Sequence, residues 1–335
     1  MRLRISAPAR LHFGFIDLNG ELGRLFGSLG MAIDFPKVVL EGETLEKNAL
    51  PLEGCEKIQS GETELWVKGE SKERVADFAR RFLSRYPLRG RFLLNCLQAI
   101  PPHVGLGSGT QLALSVGTML SHLGGRKIDP SELAPLMGRG VHSGIGIGTF
   151  QFGGFIVDGG HRTGKSALKS PPIIFHHEVP SSWNLVLGIP SVEHPFKGEG
   201  EERAFKNLPP APSNLAERIS RLLLMKMLPA LIEEDIYQFS QALTLIQQLV
   251  GDSFAPVQGG RFANYLSSEL IAFWLEKGVA GAGQSSWGPS VYAFLEKEEE
   301  AMKLVEISRD FLQSRGGGTV FLAKPYNLGA SIETL

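Results

Sequence analysis

The residues best suited to chemistry lie in a glycine-rich turn at positions 105–111. An apolar run over 92–100 precedes the turn and predicts a buried strand, which Pro101 and Pro102 end because proline has no amide hydrogen for a sheet. Apolar residues at helical spacing follow, so the turn leads into a helix N-terminus, whose unpaired amides and partial positive charge suit phosphate. The alternative is a glycine-rich connection that binds nothing. The candidate phosphate-binding residues are Gly105, Gly107, Ser108, Gly109, Thr110 and Gln111.

Polar residues also occur along the first predicted strand, at Arg10, His12 and Asp17, among apolar neighbours. Because successive side chains of a strand point to opposite faces, one face can carry several polar groups toward a site. The alternative is an ordinary amphipathic strand. The run Pro-His-Val-Gly-Leu-Gly-Ser-Gly at 102–109 resembles the phosphate-binding motif of the GHMP superfamily, named for galactokinase, homoserine kinase, mevalonate kinase and phosphomevalonate kinase. The start Ala-Pro-Ala-Arg at 7–10 is similar to the stretch that lines the substrate side of the cleft in those kinases.

Two further stretches narrow the resemblance to one branch of the superfamily. His-Phe-Gly-Phe-Ile-Asp-Leu-Asn-Gly-Glu-Leu-Gly-Arg, which ends at Arg24, resembles the β-ribofuranosylaminobenzene 5′-phosphate synthase family. The continuation through Ser28, which is a candidate substrate-binding residue, resembles its bacterial branch. Archaeal members more often carry an acidic residue where Phe26 stands, and we assign Phe26 no role. The run Gly-Ala-Gly-Gln-Ser-Ser-Trp-Gly-Pro resembles the third motif of this family, and its uncharged donors are expected to close over the phosphate loop. Those candidate donors are Gln284, Ser285 and Ser286.

The stretch 138–160 separates this family from the kinases. Mevalonate-type kinases carry Ser-Gly-x-Asp-Asn here, with the aspartate as base, whereas this chain reads Ser-Gly-Ile-Gly-Ile and places Gly146 at the base position. A small-molecule kinase needs a group that orients or deprotonates the attacking hydroxyl. The absence of this base at Gly146 favours the synthase family over the kinases. Arg139, His142 and Ser143 are suited to anionic substrate groups, although His142 alone can equally be a packed or surface histidine.

The predicted architecture is α+β in two layers. A length of 335 residues predicts two domains. The resemblance implies a ribosomal-protein-S5-domain-2-like N-terminal domain over 1–175 and a ferredoxin-like C-terminal domain over 176–335, with the cleft between them. Local patterns predict an edge strand over 2–6, a helix over 73–86, a linker over 161–182, two helices in 213–250 separated at Pro229, a helix over 260–277 and a polar segment over the cleft at 193–208. The arginines at 74, 80, 81 and 85 are expected on a solvated helix face.

Composition bounds the partners of this protein. With 34 basic and 35 acidic residues, the net charge is −1, which gives no electrostatic signature for nucleic acid or an anionic membrane. The two cysteines make neither a disulfide framework nor a thiolate metal site. No apolar run is long enough for a membrane span, so the sequence predicts a soluble, cytoplasmic enzyme. A homodimer is one assembly that the family resemblance allows.

The resemblance implies a decarboxylating glycosyl transfer from 5-phosphoribosyl 1-diphosphate to 4-aminobenzoate, early in methanopterin biosynthesis. The ring carbon para to the amino group bonds to the sugar, while CO2 and diphosphate leave. A cation-like transition state needs the diphosphate held, for which Mg2+ is the expected cofactor, with its ligands unassigned. Asp17, Arg24 and His142 are the candidate catalytic residues. The alternatives are an ATP-dependent kinase and a non-catalytic ligand-binding protein, and the sequence leaves 4-hydroxybenzoate open as the acceptor.

Overall fold

The computed structural model describes residues 1–46, 54–164, 169–192 and 199–335. In chain order the strands are β1 (Arg2–Asp17), β2 (Arg24–Leu45), β3 (Glu56–Ser60), β4 (Thr63–Gly69), β5 (Gly90–Gln98), β6 (Phe155–Asp158), β7 (His161–Arg162), β8 (Ile173–His177), β9 (Asn184–Pro190), β10 (Ala282–Gln284), β11 (Val291–Leu295), β12 (Gly318–Ala323) and β13 (Ser331–Thr334). The helices are α1 (Lys72–Arg85), α2 (Ser108–Leu123), α3 (Pro130–Leu136), α4 (Ile145–Phe152), α5 (Glu199–Lys206), α6 (Leu215–Leu222), α7 (Leu228–Ile232), α8 (Ile236–Gln258), α9 (Tyr265–Glu276) and α10 (Glu298–Gln313), and a π-helical turn over Leu223–Met227 joins α6 to α7.

The first sheet has the strand order β13-β1-β2-β5-β4-β3, and β6 and β7 also pair with β2. Helices α2 and α4 pack against β1 and β2. The prediction of an edge strand over 2–6 is wrong, because β13 pairs with β1 on the side away from β2, with Leu3 opposite Thr334. This partner comes from the last residues of the chain, so no local pattern could indicate it.

The second sheet has the order β10-β11-β9-β12 and is antiparallel throughout. Helices lie between β9 and β10, and α10 lies between β11 and β12, which is the β-α-β-β-α-β plan of a ferredoxin-like domain. Phe13 of β1 contacts Tyr292 of β11, with ring centroids 5.1 Å apart, so the two sheets share one core. The α+β prediction and its two expected domain types are confirmed.

Several local predictions need correction. The expected linker contains β7 and β8, and β8 pairs with β6 in the first sheet, whereas Lys165 lies outside the described residues. The helices of 213–250 are not separated at Pro229, because Pro229 occupies the first turn of α7, where a missing amide is tolerated. The break comes at Glu234, which has a φ of 60°, just before α8.

Other helix predictions agree more closely with the structure. The helix predicted over 73–86 is α1, and the helix predicted to start at 260 starts at Tyr265, where the Asn264 side chain accepts a hydrogen bond from the Ser267 amide at 2.7 Å. Of the segment predicted to lie over the cleft, residues 193–198 fall outside the described part. Within the described ranges, no helix is both long and apolar enough to cross a membrane.

Candidate functional site

The glycine turn lies between β5 and α2 and lines an open pocket of about 500 Å³, the phosphate pocket. Gly105 and Gly107 have φ angles of 88° and 79°. A Cβ atom on Gly105 would lie 2.3 Å from the Ser285 carbonyl oxygen, and one on Gly107 would lie 2.6 Å from Arg10 Cγ, so both positions need glycine. The first residues of α2 line the same pocket, so its amide end faces any ligand bound there.

Arginine side chains from separate elements also line the phosphate pocket. Arg10 of β1 donates from Nη1 to the Gly105 carbonyl at 2.6 Å, and Arg74 of α1 lies with Nη2 3.3 Å from Ser108 Oγ. The Arg139 guanidinium packs against Gly109 and lies over the Phe78 ring, 5.2 Å from its centroid. The described lining residues include no aspartate or glutamate. The pocket is therefore built for a strongly anionic group.

Arg74 contradicts the expectation that α1 carries its arginines on a solvated face. Its side chain is half-buried, burial lowers the pKa of its guanidinium, and its Nη1 is buried with no hydrogen-bond partner among the described residues. Arg80 and Arg85 on the same helix are exposed. The apolar spacing along α1 does not predict that Arg74 is half-buried while Arg80 and Arg85 are exposed. Arg74 is half-buried only because the first turn of α1 meets the start of α2.

The third motif closes against the glycine turn mainly through structural bonds. Ser285 Oγ donates to the Gly105 carbonyl at 2.7 Å and accepts from the His12 amide at 3.0 Å. The Gln284 amide group donates to the Ser286 carbonyl and accepts from the Ala263 amide, each at 2.8 Å. Both side chains thus support the loop, Gln284 also lines the second pocket described below, and their substrate-binding roles stay predictions. Ser286 lines the phosphate pocket.

Gln111 does not reach the phosphate pocket. It is fully buried and donates from Nε2 to the Gly146 carbonyl of α4 at 2.8 Å, because the fourth position of α2 faces α4 and not the turn. Gly146 itself is buried under Thr110, whose Cγ2 would lie 2.9 Å from a Cβ atom on Gly146. The position that carries the base in mevalonate-type kinases is thus closed to a larger side chain.

A buried carboxylate supports Ser143 at the edge of the cleft. Ser28 Oγ lies 2.6 Å from Ser143 Oγ and donates to Asp158, whose carboxylate also accepts from the amides of Gly144 and Gly160, each at 2.8 Å. Burial raises the pKa of Asp158, and these hydrogen bonds act in the opposite direction. Ser28 is fully buried and positions Ser143, and its substrate-binding role stays a prediction.

Asp17 and Arg24 are not brought to the cleft. Asp17 Oδ1 accepts from the amides of Asn19 and Gly20, each at 2.8 Å, which forms a side-chain-stabilised turn. Arg24 donates from Nε and Nη2 to the carbonyls of Gly159 and Gly160 at 2.5 and 2.7 Å. Neither residue lines a described pocket. In this structure both side chains hold loops, and their catalytic roles stay untested predictions.

A second pocket of about 110 Å³, the aromatic pocket, adjoins the phosphate pocket. The residues that line both are Arg10, His142, Ser143, Ser286 and Trp287. The ring of His142 stacks on Phe205, with centroids 4.3 Å apart, and meets Phe26 edge to face at 5.1 Å. Phe26 is thus part of an aromatic cluster next to the site. The sequence indicated the polar residues of this pocket on β1 and the third motif, but it offered no signal for the aromatic wall, which α5 and α8 help to form.

The residues of the phosphate pocket do not fit a metal ion held by the protein. The side-chain oxygens that line it are hydroxyls, from Ser108, Thr110, Ser143 and Ser286. Across the described ranges, no group of three or more histidine, cysteine, aspartate or glutamate residues could hold a metal ion. Mg2+ prefers carboxylates and phosphate oxygens as ligands. The described lining has no carboxylate, so the preferred ligands would have to come from the phosphate oxygens of a bound substrate.

Comparison with solved structures agrees with this fold. The chain is 17% identical to homoserine kinase from Cytophaga hutchinsonii, with a TM-score of 0.61, covering 99% of this chain and 97% of the other. It is 13% identical to mevalonate pyrophosphate decarboxylase from Streptococcus pyogenes, with a TM-score of 0.62 and 98% of each chain covered. At these identities the likeness concerns the fold alone.

Sequence comparison identifies the family. Residues 73–154 match the GHMP kinases N terminal domain, and residues 227–311 match the GHMP kinases C terminal domain. The chain is 35% identical to β-ribofuranosylphenol 5′-phosphate synthase from Methanocaldococcus jannaschii, over 98% of this chain and 99% of that protein. It is 34% identical to the enzyme of the same name from Methanothermobacter thermautotrophicus, over 89% and 90%. The chain therefore belongs to the β-ribofuranosylphenol 5′-phosphate synthase family of the GHMP superfamily.

Proposed function

We propose that this protein transfers a phosphoribosyl group from 5-phosphoribosyl 1-diphosphate to a para-substituted benzoate, with loss of CO2. The bond between ribose C1 and the diphosphate oxygen breaks, and its electron pair leaves with the diphosphate. The ring carbon that bears the carboxylate bonds to C1. The bond from that carbon to the carboxylate then breaks, its electron pair returns to the ring, and CO2 leaves.

The single observation that carries this proposal is the pairing of the two pockets. A cationic pocket without described carboxylates adjoins an aromatic pocket across Arg10 and Ser143. Arg10, Arg74, Arg139 and the amide end of α2 suit the charge that develops on a departing diphosphate, and preorganised donors of this kind stabilise a transition state most where charge grows. The shared edge is where ribose C1 and the ring carbon would meet.

The acceptor is proposed from the names of the relatives. A ribofuranosylphenol product corresponds to 4-hydroxybenzoate as acceptor, just as an aminobenzene product corresponds to 4-aminobenzoate. Both acceptors carry a para group that donates electrons to the ring carbon under attack, so we retain both. The kinase alternative lacks a base, and Gly146 has no space for one.

The setting follows from the substrates. We retain Mg2+ only as a counterion that arrives on the diphosphate oxygens, since the described lining of the phosphate pocket contains no carboxylate. A phosphorylated sugar does not cross a membrane unaided, so we propose that the reaction runs in the cytoplasm, as an early step of methanopterin biosynthesis. The homodimer stays a prediction.

The test is release of labelled CO2. The purified protein is incubated with Mg2+, 5-phosphoribosyl 1-diphosphate and carboxyl-labelled 4-hydroxybenzoate or 4-aminobenzoate. We expect label release in equal amount to diphosphate, and none when the sugar diphosphate is omitted. Consumption of ATP with a small alcohol and no CO2 release would establish a kinase instead. Activity in neither assay would point to a non-catalytic binding protein and overturn the proposal.

A further inference from the structure

The aromatic pocket has rigid walls that suit a single flat ring. Phe205 and Trp287 lie with ring centroids 4.7 Å apart, Phe254 and Trp287 lie 5.1 Å apart, and Phe15 adjoins Phe254 at 6.2 Å. Aromatic rings prefer offset or edge contacts at such separations, so these four rings contact one another and form one apolar wall for a bound ring. The volume of about 110 Å³ is of the same order as the roughly 150 Å³ apolar cavity that accommodates benzene.

His12 supplies a hydrogen-bond donor to this pocket. Its Nδ1 accepts from the Gly14 amide at 3.2 Å, so in the neutral ring the hydrogen is on Nε2. The side chain is only 4% exposed, and Nε2 is buried with no hydrogen-bond partner among the described residues. His12 is two residues beyond Arg10 on β1, which places it roughly 7 Å along the strand from the arginine that contacts the glycine turn. The unmet donor therefore lies in the aromatic pocket, close to Arg10, which is the residue of β1 that lines both pockets.

Gln258 supplies an acceptor to the same pocket. Its Nε2 donates to the Arg261 carbonyl at 2.8 Å, while its Oε1 is buried with no hydrogen-bond partner in the described part of the chain. On α8, Val250 packs against Gly14, and Gln258 follows eight residues later, roughly 12 Å along the helix. Neither Gln258 nor any other residue of α8 lines the phosphate pocket, whereas Arg10, on the same strand as His12, does. The donor and the acceptor are thus separated along the pocket.

We propose that the aromatic pocket binds the benzoate acceptor, with its carboxylate on His12 Nε2 and its para hydroxyl or amino group on Gln258 Oε1. This inference rests on the proposed function. A para-substituted benzoate presents an acceptor at one end and a donor at the other, which complements the two unmet atoms. Its carboxylate-bearing carbon then lies nearest the phosphate pocket, where ribose C1 must be.

The test measures the Kd of three ligands by calorimetry on the full chain, with diphosphate present. The ligands are 4-hydroxybenzoate, benzoate without a para group, and phenol without a carboxylate. In His12→Phe we expect 4-hydroxybenzoate and benzoate to bind about 10- to 100-fold more weakly, because the lost bond is to a charged group, while phenol is unchanged. In Gln258→Leu we expect 4-hydroxybenzoate and phenol to bind about 2- to 10-fold more weakly, because the lost bond is neutral, while benzoate is unchanged. His12→Gln, which keeps a donor, should recover part of the loss.

Pocket occupancy has its own pair of variants, in case His12→Phe fails to fold. Val250→Phe extends a ring into the aromatic pocket and should weaken all three ligands. Leu245→Phe also introduces a phenylalanine, on an exposed position of α8, and should weaken none. Equal loss for phenol and benzoate in His12→Phe, or unchanged binding in Val250→Phe, would overturn the assignment. If the wild-type protein releases CO2 but ligand binding is unchanged in these variants, the pocket assignment is refuted and the proposed function stands. If the variants show the expected binding pattern but the wild-type protein releases no CO2, the proposed function is refuted and the pocket assignment stands.

Discussion

The hydroxyl oxygens of Ser28 and Ser143 lie 2.6 Å apart, and only Ser143 lines the pockets. Ser143 Oγ accepts from the Ile145 amide at 3.1 Å, and Ser28 directs its own hydrogen to Asp158. The Ser143 hydrogen therefore points to Ser28, which leaves a lone pair of Ser143 for the cleft. The buried Asp158 carboxylate thus orients Ser143 so that its oxygen presents a hydrogen-bond acceptor to the cleft. A sugar hydroxyl can donate to such an acceptor.

Asp158→Asn tests this network through stability. The carboxylate accepts from Ser28 and from two backbone amides, whereas a carboxamide has one acceptor oxygen and places its NH2 against a donor. An unsatisfied buried group costs about 1–3 kcal/mol, so we expect the melting temperature to fall by several degrees. The control is Asp129→Asn, because Asp129 caps α3 from an exposed position and asparagine caps equally well. Equal melting of both variants would mean that Asp158 holds nothing in place.

Arg74→Met tests the phosphate pocket through donor binding. We expect the KM for 5-phosphoribosyl 1-diphosphate to rise about 10- to 100-fold, because a charge-assisted hydrogen bond contributes about 1.5–3 kcal/mol. The KM for the benzoate should stay within about twofold, since Arg74 does not line the aromatic pocket. Arg85→Met removes an exposed arginine from the same helix and should leave both values unchanged. If the KM for 5-phosphoribosyl 1-diphosphate is the same in Arg74→Met as in Arg85→Met, Arg74 does not bind this substrate.

Part of this site could be predicted from the sequence, because its chemistry is local. Glycine spacing and a following helix indicate the phosphate turn, and the glycine at the base position argues against a kinase. Arg74, Phe205 and Gln258 could not be found in this way, since each reaches the site only through packing between elements distant in the chain. Arg24 shows the opposite limit, because resemblance to a motif marks a position without specifying what its side chain contacts.

Arg24→Lys is expected to reduce stability and not substrate affinity. The Arg24 guanidinium bridges the carbonyls of Gly159 and Gly160, and a lysine ammonium cannot reproduce that fork. We expect a lower melting temperature, with the KM values of the folded protein unchanged. Arg162→Met, an exposed arginine on the strand opposite Arg24, is the control and should melt like the wild type. A large loss of kcat/KM at an unchanged melting temperature would instead restore a direct substrate role for Arg24.

Gly146→Asp should not create a kinase. The new Cβ atom would lie 2.9 Å from Thr110 Cγ2, and the carboxylate would enter a buried position without a prepared partner. We expect a clear drop in melting temperature and no ATP turnover with small alcohols. Gly146→Ala introduces the same clash without the charge, so the difference in melting temperature between the variants isolates the buried carboxylate. ATP turnover by Gly146→Asp would show that the fold still binds nucleotide productively.

The pH dependence of stability tests whether His12 is neutral in the folded protein. Burial, and secondarily the charge of Arg10, lower the pKa of His12 well below its ordinary value. The other charged or titratable residues that line the aromatic pocket are His142 and Arg261. Between the lowered pKa and about 6.5, the unfolded chain binds a proton that the folded protein does not. The free energy of unfolding therefore rises with pH across this window, by up to about 1.4 kcal/mol per pH unit, and falls as the solution is acidified.

His12→Gln removes this titration while keeping a polar side chain. We expect chemical denaturation at pH 7 and pH 5 to show a smaller loss of stability on acidification in the variant than in the wild type. His122→Gln retains His12 and should keep the full loss. A pH slope in His12→Gln as steep as that of the wild type would mean that His12 binds a proton as readily in the folded protein as in the unfolded chain, and that it is charged at pH 5. In that case its Nδ1 could not accept from Gly14, and the donor to the benzoate carboxylate would be a cation.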